Sequence, residues 1–145
     1  MNDLSVVSCA ECGKRNRVPA AATGTPRCAV CHAAIPWMVE ATGADFADIV
    51  KSPVLVLVDL RAPWCGPCRT IGPLVEQAGK DLAGRLKVVK VNVDVAPEIS
   101  QQFGVQGIPT LLLLHDGREV NRQVGALPGH ALRAWIDGEL ARNGS

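Results

Sequence analysis

The sequence predicts an α/β fold: a mixed central sheet with helices on both faces, preceded by a small cysteine-bound module. Three observations predict it. From residue 37 onward, apolar runs of strand length alternate with segments of helical spacing. One of those runs, Val54 to Leu60, is almost continuously apolar, as befits a central strand covered on both faces. The first 36 residues instead hold four of the six cysteines and little apolar periodicity. The expected division is residues 1–36 for the small module and 37–145 for the α/β domain.

The module comes first. Cys9 and Cys12 form one C-x2-C pair, and Cys28 and Cys31 form another, fifteen residues further on. Each pair can fold into a knuckle that offers two thiolates to one side, and two knuckles complete a closed tetrahedral site for Zn²⁺. Four sulfur ligands leave no position for water, so such a zinc is structural, not catalytic. The segment between the pairs is rich in turn residues and nearly coreless, so metal binding would supply its folding free energy. Disulfides or loose thiols are the competing readings. His32 comes directly after Cys31 but is read as a surface histidine, since four cysteines already suffice.

Ile35 to Val39 leads from the knuckles into the first strand of the α/β domain. Thr42 to Ser52 carries Phe46, Ile49 and Val50 at helical spacing, with Thr42 or Asp45 as a cap, and Pro53 ends it. After the apolar strand, Ile71, Leu74, Val75, Ala78 and Leu82 trace a helix in which Pro73 is expected to produce a kink. Leu86 to Asp94 is a strand, and Pro97 to Phe103 is a short helix opened by proline and closed by Gly104. Thr110–His115 and Glu119–Val124 flank Asp116-Gly117 and read as a β-hairpin. Leu132, Ile136 and Leu140 define one face of a last helix, with Trp135 beside them. Trp37 and Trp135 are expected in the core.

Composition narrows the function classes. The net charge is +1 over 145 residues, and residues 1–40 and 41–145 are each near neutral. Lys14, Arg15 and Arg17 form only a small basic cluster, well short of a nucleic-acid footprint. No apolar run approaches the ~20 residues that span a membrane. The N-terminus lacks the basic and apolar regions of a signal peptide, so the expected compartment is the cytoplasm. There, six cysteines read as metal ligands and catalytic thiols, not three structural disulfides. A monomer is expected.

Trp64-Cys65-Gly66-Pro67-Cys68 lies where the apolar strand passes into a helix. Unpaired N–H groups and the helix dipole stabilise negative charge there, which lowers a thiol pKa and raises its reactivity. The two-residue spacing lets Cys65 and Cys68 close reversibly on each other. A bare C-x2-C could also be a structural disulfide or half a metal site. The Gly-Pro interior and the strand–helix setting favour the redox switch. Asp59 is the only charge in the core strand. Burial would raise its pKa, so it could take and return a proton for Cys68.

This motif resembles the active site of the thioredoxins, and the resemblance is continuous from about Val39 to Ala141. With the four-cysteine module it resembles the zinc-containing second thioredoxins of bacteria over nearly the whole chain. The resemblance implies the thioredoxin fold and a protein-disulfide reductase, re-reduced by an NADPH- and flavin-dependent thioredoxin reductase. Its clients would be disulfide-containing proteins. It implies a buried acid at Asp59 and a nearby lysine at Lys90. It also implies a cis bond before Pro109, where base rates alone would leave the bond trans. Trp64, Gly66, Pro67, Ile108, Pro109 and Gly125 would form the groove that docks clients as an added strand. No Gly-x-Gly-x-x-Gly occurs, so no bound nucleotide is expected.

One departure concerns Arg61, which stands where thioredoxins usually carry an aromatic residue. Its guanidinium would favour the Cys65 thiolate if the two were close; the alternative is a side chain turned to solvent. Two rival functions remain. One is a binding or holdase module switched when oxidation ejects the zinc. The other is a disulfide oxidase or isomerase, which the Gly-Pro dipeptide and the expected cytoplasmic setting disfavour.

Overall fold

The computed structural model describes residues 6–21 and 24–142. Five strands form the main sheet: β3 (Trp37–Ala41), β4 (Leu55–Arg61), β5 (Leu86–Asn92), β6 (Thr110–His115) and β7 (Arg118–Val124). Their order is β3-β5-β4-β6-β7, so the apolar β4 is central, as its composition predicts. The β3–β5 and β4–β5 pairs are parallel, and β4–β6 and β6–β7 are antiparallel, which makes the sheet mixed. A separate two-stranded ribbon pairs β1 (Val6–Ser8) with β2 (Arg15–Arg17).

Strand alternation sorts the core into two layers. Leu55 and Leu57 of β4, Val88 of β5 and Leu111 and Leu113 of β6 pack against α2 (Gly66–Asp81) and α4 (Gly129–Arg142). Their neighbours Val56, Val58, Val89, Val91 and Leu112 pack the opposite way, against α1 (Phe46–Ile49) and α3 (Pro97–Gln102). Gly79 lets α2 lie close to the sheet, since a Cβ there would stand 3.0 Å from Val88 Cγ2. The α/β fold with helices on both faces is therefore present. Trp37 is buried, and Trp135 is half-buried against the α2–α4 layer.

Several boundaries differ from expectation. The helix expected from Thr42 to Ser52 is the single turn α1. The Asp45 carboxylate accepts from the Thr42 N–H at 2.7 Å, so it caps nothing in α1. Helix α2 runs through Pro73 and stays one element. Strand β5 stops at Asn92, whose side-chain oxygen accepts from the Asp94 N–H and starts a turn.

The N-terminal residues pack on the α1–α3 side. Cys9, Val18, Cys28 and Ile35 share one buried cluster with Trp37, Val39 and Val89. Two side chains stitch this seam. Trp37 Nε1 donates to the Pro19 carbonyl at 2.7 Å. Lys87, fully buried on β5, donates from Nζ to the carbonyls of Ala20 at 2.5 Å and Ile49 at 2.6 Å, and lies 4.1 Å over the Trp37 ring. Burial lowers the Lys87 pKa from 10.5 to about 8.

Candidate active site and cysteine cluster

Cys65 sits at the end of the turn after β4, with extended backbone geometry, and is the N-cap of α2. Its Sγ accepts from the Cys68 N–H at 3.2 Å, so the sulfur stands where a capping oxygen normally stands. Pro67 occupies the first turn, where a missing N–H costs nothing. One helical turn brings the cysteines together, and a disulfide joins them with Cα atoms 5.3 Å apart. Both are buried, packed with Ala62 and Ile108. A sulfur held this way meets the partial positive charge of a helix start, which favours the thiolate once the bond opens.

Around the pair lie the other expected groove residues. The Ile108–Pro109 bond is cis. Gly125 adopts φ +92° and donates its N–H to the Pro109 carbonyl at 2.8 Å. Trp64 is 67% exposed, and its Nε1 donates to Asp94 Oδ2 at 3.0 Å. Gly66 and Pro67 are exposed, and so is Val124. A solvent-facing apolar rim thus surrounds a buried disulfide.

Beneath it, Asp59 is fully buried, and neither carboxylate oxygen has a hydrogen-bond partner among the described residues. Desolvation raises its pKa; the charges of Lys90 and Arg61 pull it down, and Glu76 pushes it up. Lys90 is in register with Asp59 across the β4–β5 pair. Its Nζ, however, bonds Glu76 Oε2 at 2.5 Å, so the lysine meets the acid through its field and not through a hydrogen bond. Glu76, from α2, has no counterpart among the residues singled out in the sequence. Its spacing two turns beyond Cys68 is the signal that could have found it. Arg61 does not turn out to solvent. Its Nε is buried, its Nη2 lies 3.5 Å from Glu40 Oε1, and its side chain is 26% exposed.

The four remaining cysteines converge. Their sulfurs all lie within 4.8 Å of one another, with Cys9–Cys31 and Cys12–Cys28 at 3.5 Å. A tetrahedral site with Zn–S bonds of ~2.3 Å needs sulfurs about 3.8 Å apart, so the set fits. The two knuckles repeat one geometry. Cys9 N–H donates to the Lys14 carbonyl, and Cys28 N–H donates to that of Ala33. Gly13 and His32, each directly after a knuckle's second cysteine, are left-handed at φ +78° and +65°. His32 is thus fixed by its backbone. Among the thiols, the Cys31 N–H helps hold Cys28 down to about 6. Cys31 itself accepts from the Ala33 N–H, but its thiol neighbours and burial outweigh that and push it up to about 12. Four sulfurs this close could hold a metal ion among them.

Comparison with known proteins agrees with this geometry. The thioredoxin family model matches residues 37–138. A thioredoxin of Haemophilus influenzae is 46% identical over 95 residues, which cover 65% of this chain and 89% of that protein. Thioredoxin 1 of Synechococcus elongatus is 42% identical over 100 residues, covering 68% and 94%. A thioredoxin of Pseudomonas aeruginosa is 41% identical over 104 residues, covering 71% and 96%. With a sheet-to-helix cysteine pair, a cis proline beside it and this breadth of similarity, the chain belongs to the thioredoxin family.

Proposed function

We propose that this protein is a protein-disulfide reductase working by dithiol–disulfide exchange at Cys65 and Cys68. The observation that carries the reading is the disulfide-bonded pair at the N-terminus of α2, with Cys65 as the helix cap. In the reduced form, the Cys65 thiolate attacks one sulfur of a client disulfide, and the other client sulfur leaves as a thiolate and takes up a proton. Asp59 then takes the Cys68 proton, through water. The Cys68 thiolate attacks Cys65, the Cys65–Cys68 bond forms, and the second client sulfur leaves and is protonated. Two electrons pass from the cysteine pair to the client, and Asp59 returns its proton to solvent. Thioredoxin reductase, drawing on NADPH through its flavin, restores the dithiol.

Trp64, Gly66, Pro67, Ile108, Pro109 and Gly125 form the client groove in this reading, and Lys90 tunes Asp59 through its charge. Cys9, Cys12, Cys28 and Cys31 hold one structural Zn²⁺, which, when bound, neutralises the thiolates and fixes the 1–36 module against the 37–145 domain. The chain is thus of the zinc-containing second thioredoxin type, monomeric and cytoplasmic. No helix among the described residues is long and apolar enough to cross a membrane.

The test is reduction of insulin by NADPH and thioredoxin reductase. Turnover in the wild type and none in Cys65→Ser supports the reading; no turnover in the zinc-loaded wild type overturns it. The buried cluster shared by Cys9, Cys28, Val18 and Trp37 supports a second reading, since metal loss would uncover apolar surface. Capture of unfolded clients only after zinc release, without insulin turnover, would favour that holdase reading.

A further inference from the structure

On the face of the sheet that carries α2, a row of charge crosses three strands. Glu40 on β3 is in register with Lys90 on β5, and Lys90 with Asp59 on β4. Arg61, two residues beyond Asp59, projects to the same side. Glu76 of α2 closes the row from above through its bond to Lys90. The β6 partner of Asp59 is Leu111, which brings no charge. A cavity of about 400 Å³ opens beside this row; Arg61, Cys68, Arg69, Glu76 and Lys90 are in its wall, and Asp59 is not. At ~30 Å³ per molecule that volume has room for about a dozen waters. Cys68, not Cys65, lines it.

These positions define unequal tasks. Lys90 spends its ammonium on Glu76, and Glu76 itself opposes ionisation of Asp59. Arg61 pairs with Glu40 at 3.5 Å and keeps a buried Nε that has no hydrogen-bond partner among the described residues. It is the second cation whose field reaches Asp59. An apolar side chain at this place would remove that charge and line the route from Cys68 to solvent with hydrocarbon.

We propose that Arg61 is a positioning residue for the exchange reaction: from the wall of the cavity that Cys68 also lines, it acts on the proton of Cys68 through Asp59, and not on the Cys65 thiolate. This rests on the reading of Asp59 as the proton acceptor. The step it serves is transfer of the Cys68 proton to the Asp59 carboxylate, attack of the Cys68 thiolate on Cys65, and release of the client thiolate. The proton is then returned from Asp59 to solvent. The cation at Arg61 keeps Asp59 ionised at lower pH than the buried site would otherwise allow.

The experiment uses the full zinc-loaded chain as wild type, Arg61→Ala, Arg61→Lys and Asp59→Asn. The Asp59 carboxyl is titrated by carbon NMR, and single-turnover release of a peptide thiol from a peptide disulfide is followed from pH 5 to 9. Arg61→Ala is expected to move the carboxyl titration to higher pH and slow release at pH 6 about two- to fivefold, the scale of one half-buried ion pair. Arg61→Lys is expected to restore most of both, which a merely structural role would not do. An Asp59 titration in Arg61→Ala that coincides with wild type, while Asp59→Asn still alters the pH profile, overturns the proposal and leaves the Asp59 reading standing. A pH profile unchanged in Asp59→Asn removes that reading, and the proposal with it.

Discussion

The two cysteine centres of this chain use the same spacing for opposite ends. At Cys65 and Cys68 the pair caps a helix, the two sulfurs bond each other, and the surrounding apolar rim faces solvent. At Cys9, Cys12, Cys28 and Cys31 each pair closes a tight knuckle with a left-handed residue behind it, and the four sulfurs turn toward a common centre. A bonded pair is therefore separated from a four-sulfur cluster not by the C-x2-C spacing but by the backbone that carries it. A helix start stabilises one thiolate; paired knuckles gather four sulfurs that a cation could hold together.

The contrast breaks most sharply on exchange of a single atom. Cys65→Ser should drop insulin reduction to background while the melting temperature under reducing conditions stays within a few degrees. Cys12→Ser should do the reverse. On the proposed reading it removes one zinc ligand, so bound zinc measured by colorimetric release is expected to fall below one per chain. The melting temperature then drops by roughly 10 °C, equivalent to a few kcal/mol in a protein of this size. Turnover lost in both, or in neither, would erase the distinction between the centres.

Beneath the bonded pair, Asp59 is buried without a hydrogen-bond partner among the described residues, and desolvation raises its pKa. The folded chain then keeps a proton that the unfolded chain has already released. Stability from this group is present at low pH and is lost as pH rises through the folded pKa. Asp59→Asn should therefore stabilise at pH 8 by about 1–3 kcal/mol and give no gain at pH 4, by urea denaturation. At the seam with the module, Lys87 has the opposite slope. Its pKa falls from 10.5 to about 8 on folding, so between those values only the unfolded chain holds the proton, and stability rises with pH. Lys87→Met should flatten that rise. At pH 7 it should cost about 1–2 kcal/mol, because the Ala20 and Ile49 carbonyls lose their donor. The smallest effect belongs to His32. Glycine there relieves the left-handed strain but frees the unfolded chain, for a net gain of at most about 0.5 kcal/mol.

The cysteine pair, the acid in a strand of hydrocarbons and the paired knuckles were legible in the chain because each is a local pattern. Residues whose meaning depends on pairing between strands were not. Lys87 and Lys90 look alike in Leu86–Asn92, yet alternation sends one to the module and the other to α2. Glu76 and Glu40 read as solvated helix and strand charges until the packing of α2 on the sheet brings one to Lys90 and the sheet register brings the other to Arg61. The expected helix after Thr42 shrank because the Asp45 side chain took a tighter local bond, which helical periodicity does not register.

Trp37 gives this molecule a built-in optical gauge. The chain has no tyrosine and three tryptophans, so its ultraviolet emission comes from three known places. Trp64 stands in solvent on the active-site rim, and Trp135 lies half-buried on α4. Trp37 alone sits at the seam, its indole tied to Pro19 and covered by an ammonium. With Trp64 and Trp135 changed to phenylalanine, the colour of one remaining fluorophore would track whether the N-terminal module is seated, in real time and without a label.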